Sequence, residues 1–309
     1  MATGSSKAVY AALFGNLGIA ITKFIAAAMT GSASMWAESY HSASDTANQI
    51  LLLLGIKLSN KPATDLHQFG FGKSQFFWSF VVATMIFGIS GILSLEQGFS
   101  SLLGGEHHFE NPLINYIVLG IAAIFEVNAL RIAFSQFKKP ISERGEKVRP
   151  STLLKEFKNS KDSLILTVVV EDSAALLGIG IAALGIFLTD ITGNTVYDAI
   201  SSIIIGGILM AFAFFLAKEN RGLLLGESLS TQKRKKIMDL VSEIPEVHKI
   251  VTLMSMHLSP TTVLVGIEIN LIDGLNTDEI EKVTDIVGEK ILTVIPDSKK
   301  EYIFIESVR

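Results

Sequence analysis

Six runs of roughly 18 to 25 predominantly apolar residues recur along the chain, the length an α-helix needs to cross the hydrocarbon of a bilayer. They fall at about 8–30, 33–57, 76–99, 113–136, 163–189 and 195–217. Lipid offers no partner for backbone N–H and C=O groups, so such a chain must fold as a bundle of helices. Composition supports this: 49% of the 309 residues are hydrophobic and only 18% are charged, where an ordinary soluble domain carries about a quarter. The opening stretch, "MATGSSKAVYAALFGNLGIAITKF", has no small-residue cleavage site before the next apolar run. It reads as a retained first helix, not a signal peptide.

Lys and Arg orient the bundle. The connections around 57–75, 137–162 and from 218 onward carry Lys57, Lys61, Lys73, Lys138, Lys139, Arg144, Lys147, Arg149, Lys155, Lys158, Lys161, Lys218 and Arg221, whereas those near 30–33, 100–112 and 190–195 carry none. The positive-inside tendency then places both termini on the cytoplasmic side or its topological equivalent. The expected home is the cytoplasmic membrane of a prokaryote, with an organelle membrane as the alternative.

After "KENRGLLLGESLSTQKRKK" the apolar runs stop, and residues 221–309 read as a soluble domain behind a transmembrane domain over 1–220. Residues 231–244 have the pattern of a helix. "VHKIVTLMSMHL" and "TVLVGIEINL" read as strands around the turn "SPTT", the second with Val263, Val265, Ile267, Ile269 and Leu271 on one face. Asn276 or Thr277 can cap a helix bearing Ile280, Val283, Val287 and Ile291, and "YIFIE" closes as a strand. The expected fold is therefore an all-α six-helix membrane domain followed by a small α+β domain of order αββαβ, with one sheet face open or lightly covered.

Charge and composition exclude several functions. A net charge of −4 gives no basic field for nucleic acid. The chain contains no cysteine, so His, Asp and Glu are its strong metal ligands. "FGFGKS" has a superficial likeness to a phosphate loop, but His67 stands where the first glycine is required and no strand precedes it, so no nucleotide is expected.

The informative stretch is "AESYHSASDTANQ", residues 37–49, where polar groups interrupt the second apolar run. His41, Asp45 and Asn48 stand at i, i+4 and i+7 and share one helix face, with Glu38 a turn earlier. Ionisable groups at that depth are costly and mark ion pathways or internal pairs. An i, i+4 His and carboxylate pair can chelate a divalent ion if another helix completes the shell. Glu171 and Asp172 in "TVVVEDSAALLGIG" are the candidates, although adjacent residues diverge by about 100° on a helix. The candidate metal ligands are His41, Asp45, Asp172 and Glu171. Glu38, Asn16, Asn48 and Glu126 read as packing, capping or supporting groups.

Taken together, "AESYHSASDT", "HQFGFGKSQ", "EDSAALLG" and "LLLGES", followed by an αββαβ tail, resemble the cation diffusion facilitator family of zinc and related metal transporters. The "ED" doublet and "DTANQ" look most like the branch that includes the animal mitochondrial zinc transporter. The resemblance implies a homodimeric metal/proton antiporter with a tetrahedral site between the second and fifth spans and a ferredoxin-like cytoplasmic domain. It carries the family's second-span pair onto His41 and Asp45 and its fifth-span aspartate onto Asp172. Many members have His or Asp four residues before that aspartate. Val168 occupies this position here, leaving Glu171 as the nearest fourth ligand.

Two accessory sites are weaker expectations. Asp65 and His67 match part of a second metal site that some family members hold in the same loop, and His248 and His257 lie in a tail that binds metal in related proteins. His107 and His108 are expected to be solvated. The resulting reading is export of a divalent metal, zinc first and Mn or Fe as alternatives, in exchange for protons, with no cofactor and no enzymatic activity. A membrane-embedded metal hydrolase and a channel are the rivals.

Overall fold

The computed structural model describes residues 3–104, 111–143, 145, 147–153 and 163–308. The loop histidines His107 and His108, and the basic residues Arg144, Lys155, Lys158 and Lys161, lie outside the described residues. Five long helical stretches and a sixth of mixed composition account for the apolar runs: α1 (Thr3–Thr30), α2 (Ala33–Ser59), α3 (Ser74–Val81) leading through a π-helical segment (Val82–Phe87) into α4 (Gly88–Leu103), α5 (Pro112–Glu143), α6 (Ser163–Thr192) and α7 (Val196–Leu225). α5 and α7 outlast their apolar runs because the Lys, Glu and Leu residues that follow are themselves good helix formers. α1 and α6 each stop at a glycine with positive φ, Gly31 (68°) and Gly193 (68°), whose N–H bonds back to Ala27 and Thr189.

Among the described helices, five are long and apolar enough to cross a membrane. α2 has the length without the hydropathy. Its polar residues explain the difference, because Glu38, His41, Ser42, Asp45 and Asn48 are buried inside the protein and need not meet lipid. The apolar core around them comes from several helices and includes Ala26, Met35, Val82, Leu119, Ile186 and Leu209.

The chain divides into two compact units, one of Met1–Gly55 with Trp78–Asn220 and the other of Ile56–Phe77 with Arg221–Arg309. In the second, α8 (Thr231–Ser242) precedes β1 (Val247–His257) and β2 (Val263–Leu271), and α9 (Thr277–Val294) precedes β3 (Ile303–Val308). The sheet has order β1-β2-β3, with β1 antiparallel to β2 and β2 parallel to β3. Both helices cover one face, where Val263, Val265, Ile267 and Ile269 pack with Ile237, Val241, Val287 and Ile291. The expected cap is a full capping box: Glu279 N donates to Asn276 Oδ1 at 2.9 Å, and Asn276 N donates to Glu279 Oε2 at 2.8 Å. Across the other face Met254, Gly266 and Phe304 stand in register, with Met254 62% and Phe304 54% exposed.

The loop that carries "FGFGKS" packs within this second unit. Lys73 Nζ donates to the Leu224 carbonyl at 3.3 Å and lies 3.5 Å from Met256 Sδ, while the Phe69 ring sits 6.0 Å from that of Tyr302. The lysine that a phosphate loop would present to a ligand is thus engaged with the protein's own backbone.

Candidate functional site

The stripe read from α2 is buried along its length, with Glu38 0%, His41 2%, Asp45 8% and Asn48 5% exposed. His41 Nδ1 lies 3.7 Å from Asp45 Oδ1, one helical turn away. α6 supplies the opposing groups. Asn48 Nδ2 donates to both carboxylate oxygens of Glu171 at 3.0 Å, and the Asp45 and Glu171 carboxyls come within hydrogen-bonding reach of each other. Gly178 of α6 faces the Glu38 carboxylate, and a Cβ there would push its Oε1 aside.

A cavity of about 140 Å³ opens beside this meeting point, room for an ion and several waters. Its acidic lining is Asp45, Glu126, Glu171 and Asp172, and its amides are Asn16, Asn48, Gln49 and Asn220. Asp45 Oδ1, Gln49 Oε1 and Asp172 Oδ2 are buried with no hydrogen-bond partner among the described residues. Polar atoms removed from water are normally paired, so unpaired acceptors around a cavity are suited to a cation or a proton.

Three of the four candidate ligands, Asp45, Glu171 and Asp172, line one cavity, and His41 lies buried behind Asp45. They flank a common space without converging: among the described residues no three His, Asp or Glu groups are gathered closely enough to hold an ion as they stand. Of the groups read as supporting, Asn48 holds Glu171 in place, while Asn16 and Glu126 contribute to the cavity wall.

The accessory pairs fare differently. Asp65 and His67 are exposed, and the His67 ring lies 4.4 Å from that of Phe71. His248 and His257 stand near opposite ends of β1, nine residues or about 30 Å apart at strand rise, so they cannot share an ion. His257 Nδ1 is moreover 2.9 Å from the Glu227 carbonyl oxygen.

Sequence reasoning passed over two buried charges. Lys23 of α1 is 1% exposed and its Nζ pairs with Glu38 Oε2 at 2.7 Å. Asp198, in the first turn of α7, accepts from the Ala33 N–H at 2.5 Å, the Ser34 N–H at 3.3 Å, Ser32 Oγ at 2.9 Å and Ser34 Oγ. It thereby caps the N-terminus of α2, where the helix dipole favours a negative charge. The available signal was the same in both cases, an ionisable residue inside an apolar run.

Residues 9–225 match the cation efflux transmembrane domain. The chain is 33% identical over 247 residues to the mouse protein "Proton-coupled zinc antiporter SLC30A9, mitochondrial", an alignment covering 80% of this chain and 42% of that one. It is 31% identical over 234 residues to "Metal tolerance protein C4" of Arabidopsis thaliana, covering 76% and 50% of the two chains. Against "Magnetosome protein MamB" of Magnetospirillum gryphiswaldense it is 23% identical over 299 residues, covering 97% and 93%. It therefore spans half or less of the length of the first two relatives and nearly all of the third. The family match covers most of the chain, and it lies over the helices that build the polar cavity: the protein is an integral membrane protein and belongs to the cation diffusion facilitator family.

Proposed function

We propose that the protein is a secondary active transporter that exports a divalent cation, zinc before others, in exchange for protons. The observation that carries this reading is a pair of buried carboxylate oxygens, Asp45 Oδ1 and Asp172 Oδ2, without a hydrogen-bond partner among the described residues, on two helices around one cavity. Family membership favours transport over the hydrolase alternative, and the name of the mouse relative favours zinc and proton coupling.

His41 and Asp45 from α2, with Asp172 and Glu171 from α6, form the cation site, and Asn48 holds the Glu171 carboxylate. Three carboxylates confined in an apolar bundle repel one another unless neutralised. A divalent cation neutralises them from one side of the membrane, and protons do so from the other. Metal ligands must be deprotonated to bind, so metal entry expels protons and proton entry expels metal. If the cavity faces each side in turn, this competition couples the two fluxes without nucleotide or cofactor. One imidazole nitrogen with carboxylate oxygens suits tetrahedral Zn²⁺, while the excess of oxygen leaves Mn²⁺ or Fe²⁺ as the next candidates.

In this scheme residues 1–220 form the transport domain and 221–309 a dimerisation and regulatory domain. Met254 and Phe304 on the uncovered sheet face support a homodimer, since an exposed apolar sheet face invites a partner. Both termini are cytoplasmic, in a prokaryotic cytoplasmic membrane or an organelle equivalent. The test is zinc uptake by the purified chain in sealed vesicles with an acidic interior. Uptake that collapses when a protonophore dissipates the gradient supports the proposal. Flux indifferent to the gradient would identify a channel, and no flux of zinc, manganese or iron would remove the transport reading.

A further inference from the structure

We infer that the buried Lys23–Glu38 ion pair is a gate, closing the cation path between the cavity and the end of the bundle that carries the Gly31 and Gly193 turns. The inference rests on the transport reading. At about 1.5 Å of rise per residue, Glu38 lies roughly 8 Å and Asp45 roughly 18 Å along α2 from Ala33. The cavity occupies the deeper side: its α2 lining is Asp45, Asn48, Gln49 and Leu52, and its α7 lining is Leu216 and Asn220, near that helix's far end.

Toward the near end the same stripe is closed. The carboxylate next after the candidate ligands is Glu38, one turn from His41, and it is wholly buried with Lys23 Nζ on Oε2. Its Oε1 has no hydrogen-bond partner among the described residues. An ammonium thus fills the acceptor that a departing cation would meet next. The Phe24 ring, next to Lys23 in the sequence, packs against Trp36 and Tyr40 at 5.8 and 5.9 Å.

The pair is poor static glue. Desolvating two charges offsets most of their attraction, and well-packed apolar side chains would tie the helices as firmly. A fixed tie exists nearby, where Asp198 accepts four hydrogen bonds from the start of α2. Lys23–Glu38 instead joins α1 to α2 through one contact on one of two oxygens. When α1 withdraws, Lys23 leaves with it and Glu38 becomes the acceptor that hands the divalent cation outward. The ammonium then returns behind it.

The cysteine-free chain allows a direct test in vesicles. In Lys23→Cys/Glu38→Cys, a reducible bifunctional thiol reagent bridging the two sulfurs should cut zinc transport by at least about tenfold relative to the same variant without it, a shift of one decade in the open population, and reductant should restore it. Equal transport before and after verified bridging would overturn the gate. A second measurement needs no transport. Ser42, 4% exposed, lies one turn inside Glu38; with Ser42→Cys as reporter, an impermeant thiol reagent added from the Gly31 side should label it slowly. Adding Lys23→Met and Glu38→Met should raise that rate by about tenfold and leave labelling from the opposite side unchanged. An unchanged rate from the Gly31 side would likewise overturn the gate. Because labelling is read without flux, a chain that moved no metal would defeat the transport reading separately.

Discussion

Asp198 and Asp45 are both carboxylates buried in the same apolar bundle, and their surroundings are opposite. Asp198 is 3% exposed and takes two backbone N–H groups and two hydroxyls. Asp45 is 8% exposed, and its Oδ1 has no hydrogen-bond partner among the described residues, as is true of Asp172 Oδ2 across the cavity. Burial alone therefore does not distinguish structure from function. What does is whether the protein completes the carboxylate's bonding itself or leaves it to something that enters.

The largest effects should fall on the incomplete carboxylates. Asp45→Ala, Asp172→Ala or His41→Ala should each lower zinc flux by at least about a hundredfold, beyond the range for supporting residues of a metal site, while the chain still inserts and assembles. Near-normal flux in both Asp45→Ala and Asp172→Ala would place those residues with Asp198 as packing groups.

Glu171 and Asn48 sharpen the comparison. If Glu171 is the fourth ligand, Glu171→Ala should approach the loss seen at Asp172. Asn48→Ala, which removes both hydrogen bonds that hold the Glu171 carboxylate, should cost about tenfold in apparent zinc affinity. Zinc titration of transport rate separates the cases, and a normal affinity in Asn48→Ala would show that Glu171 does not act through that amide.

Asp198→Ala should behave in the reverse way. It removes the cap of α2 and should lower stability by about 2 kcal/mol, given a helix cap plus hydrogen bonds of membrane-protein strength. Flux per folded molecule should stay within about twofold, because the loss of folded protein is removed by the normalisation. Thermal inactivation in detergent, set beside flux normalised to folded protein, reads both. The smallest effect is expected for His67→Ala, whose exposed ring rests on Phe71. Its zinc flux should change by less than about twofold, as for most surface substitutions.

Much of this was legible along the chain. Helix positions followed apolar runs, the α9 cap fell on Asn276, one of the two residues read as able to cap it, and the inward face of β2 followed alternation from Val263 to Ile269. His41 and Asp45 could be paired because one helical turn relates them. Asn48 and Glu171 could not, since the bond joins residues 123 apart. Nor could Lys23 with Glu38, because α1 and α2 must first fold back at Gly31. The Ser32–Asp198 contact, across 166 residues, has no local signature at all.

By itself the sequence determined that the chain must be a membrane bundle with a small αββαβ tail, because hydrophobic period and length dictate which segments leave water and in what form. It also determined that α2 and α6 carry charges too costly to face lipid. Only the tertiary structure decided which of those charges would be completed and which left open. Hydrogen-bond satisfaction depends on what arrives from other helices within about 3 Å, and no periodicity along one helix contains that distance. So Asp198 became a cap, Lys23 and Glu38 a buried pair, and Asp45 with Asp172 an edge of a cavity where carboxylate oxygens lack a hydrogen-bond partner among the described residues.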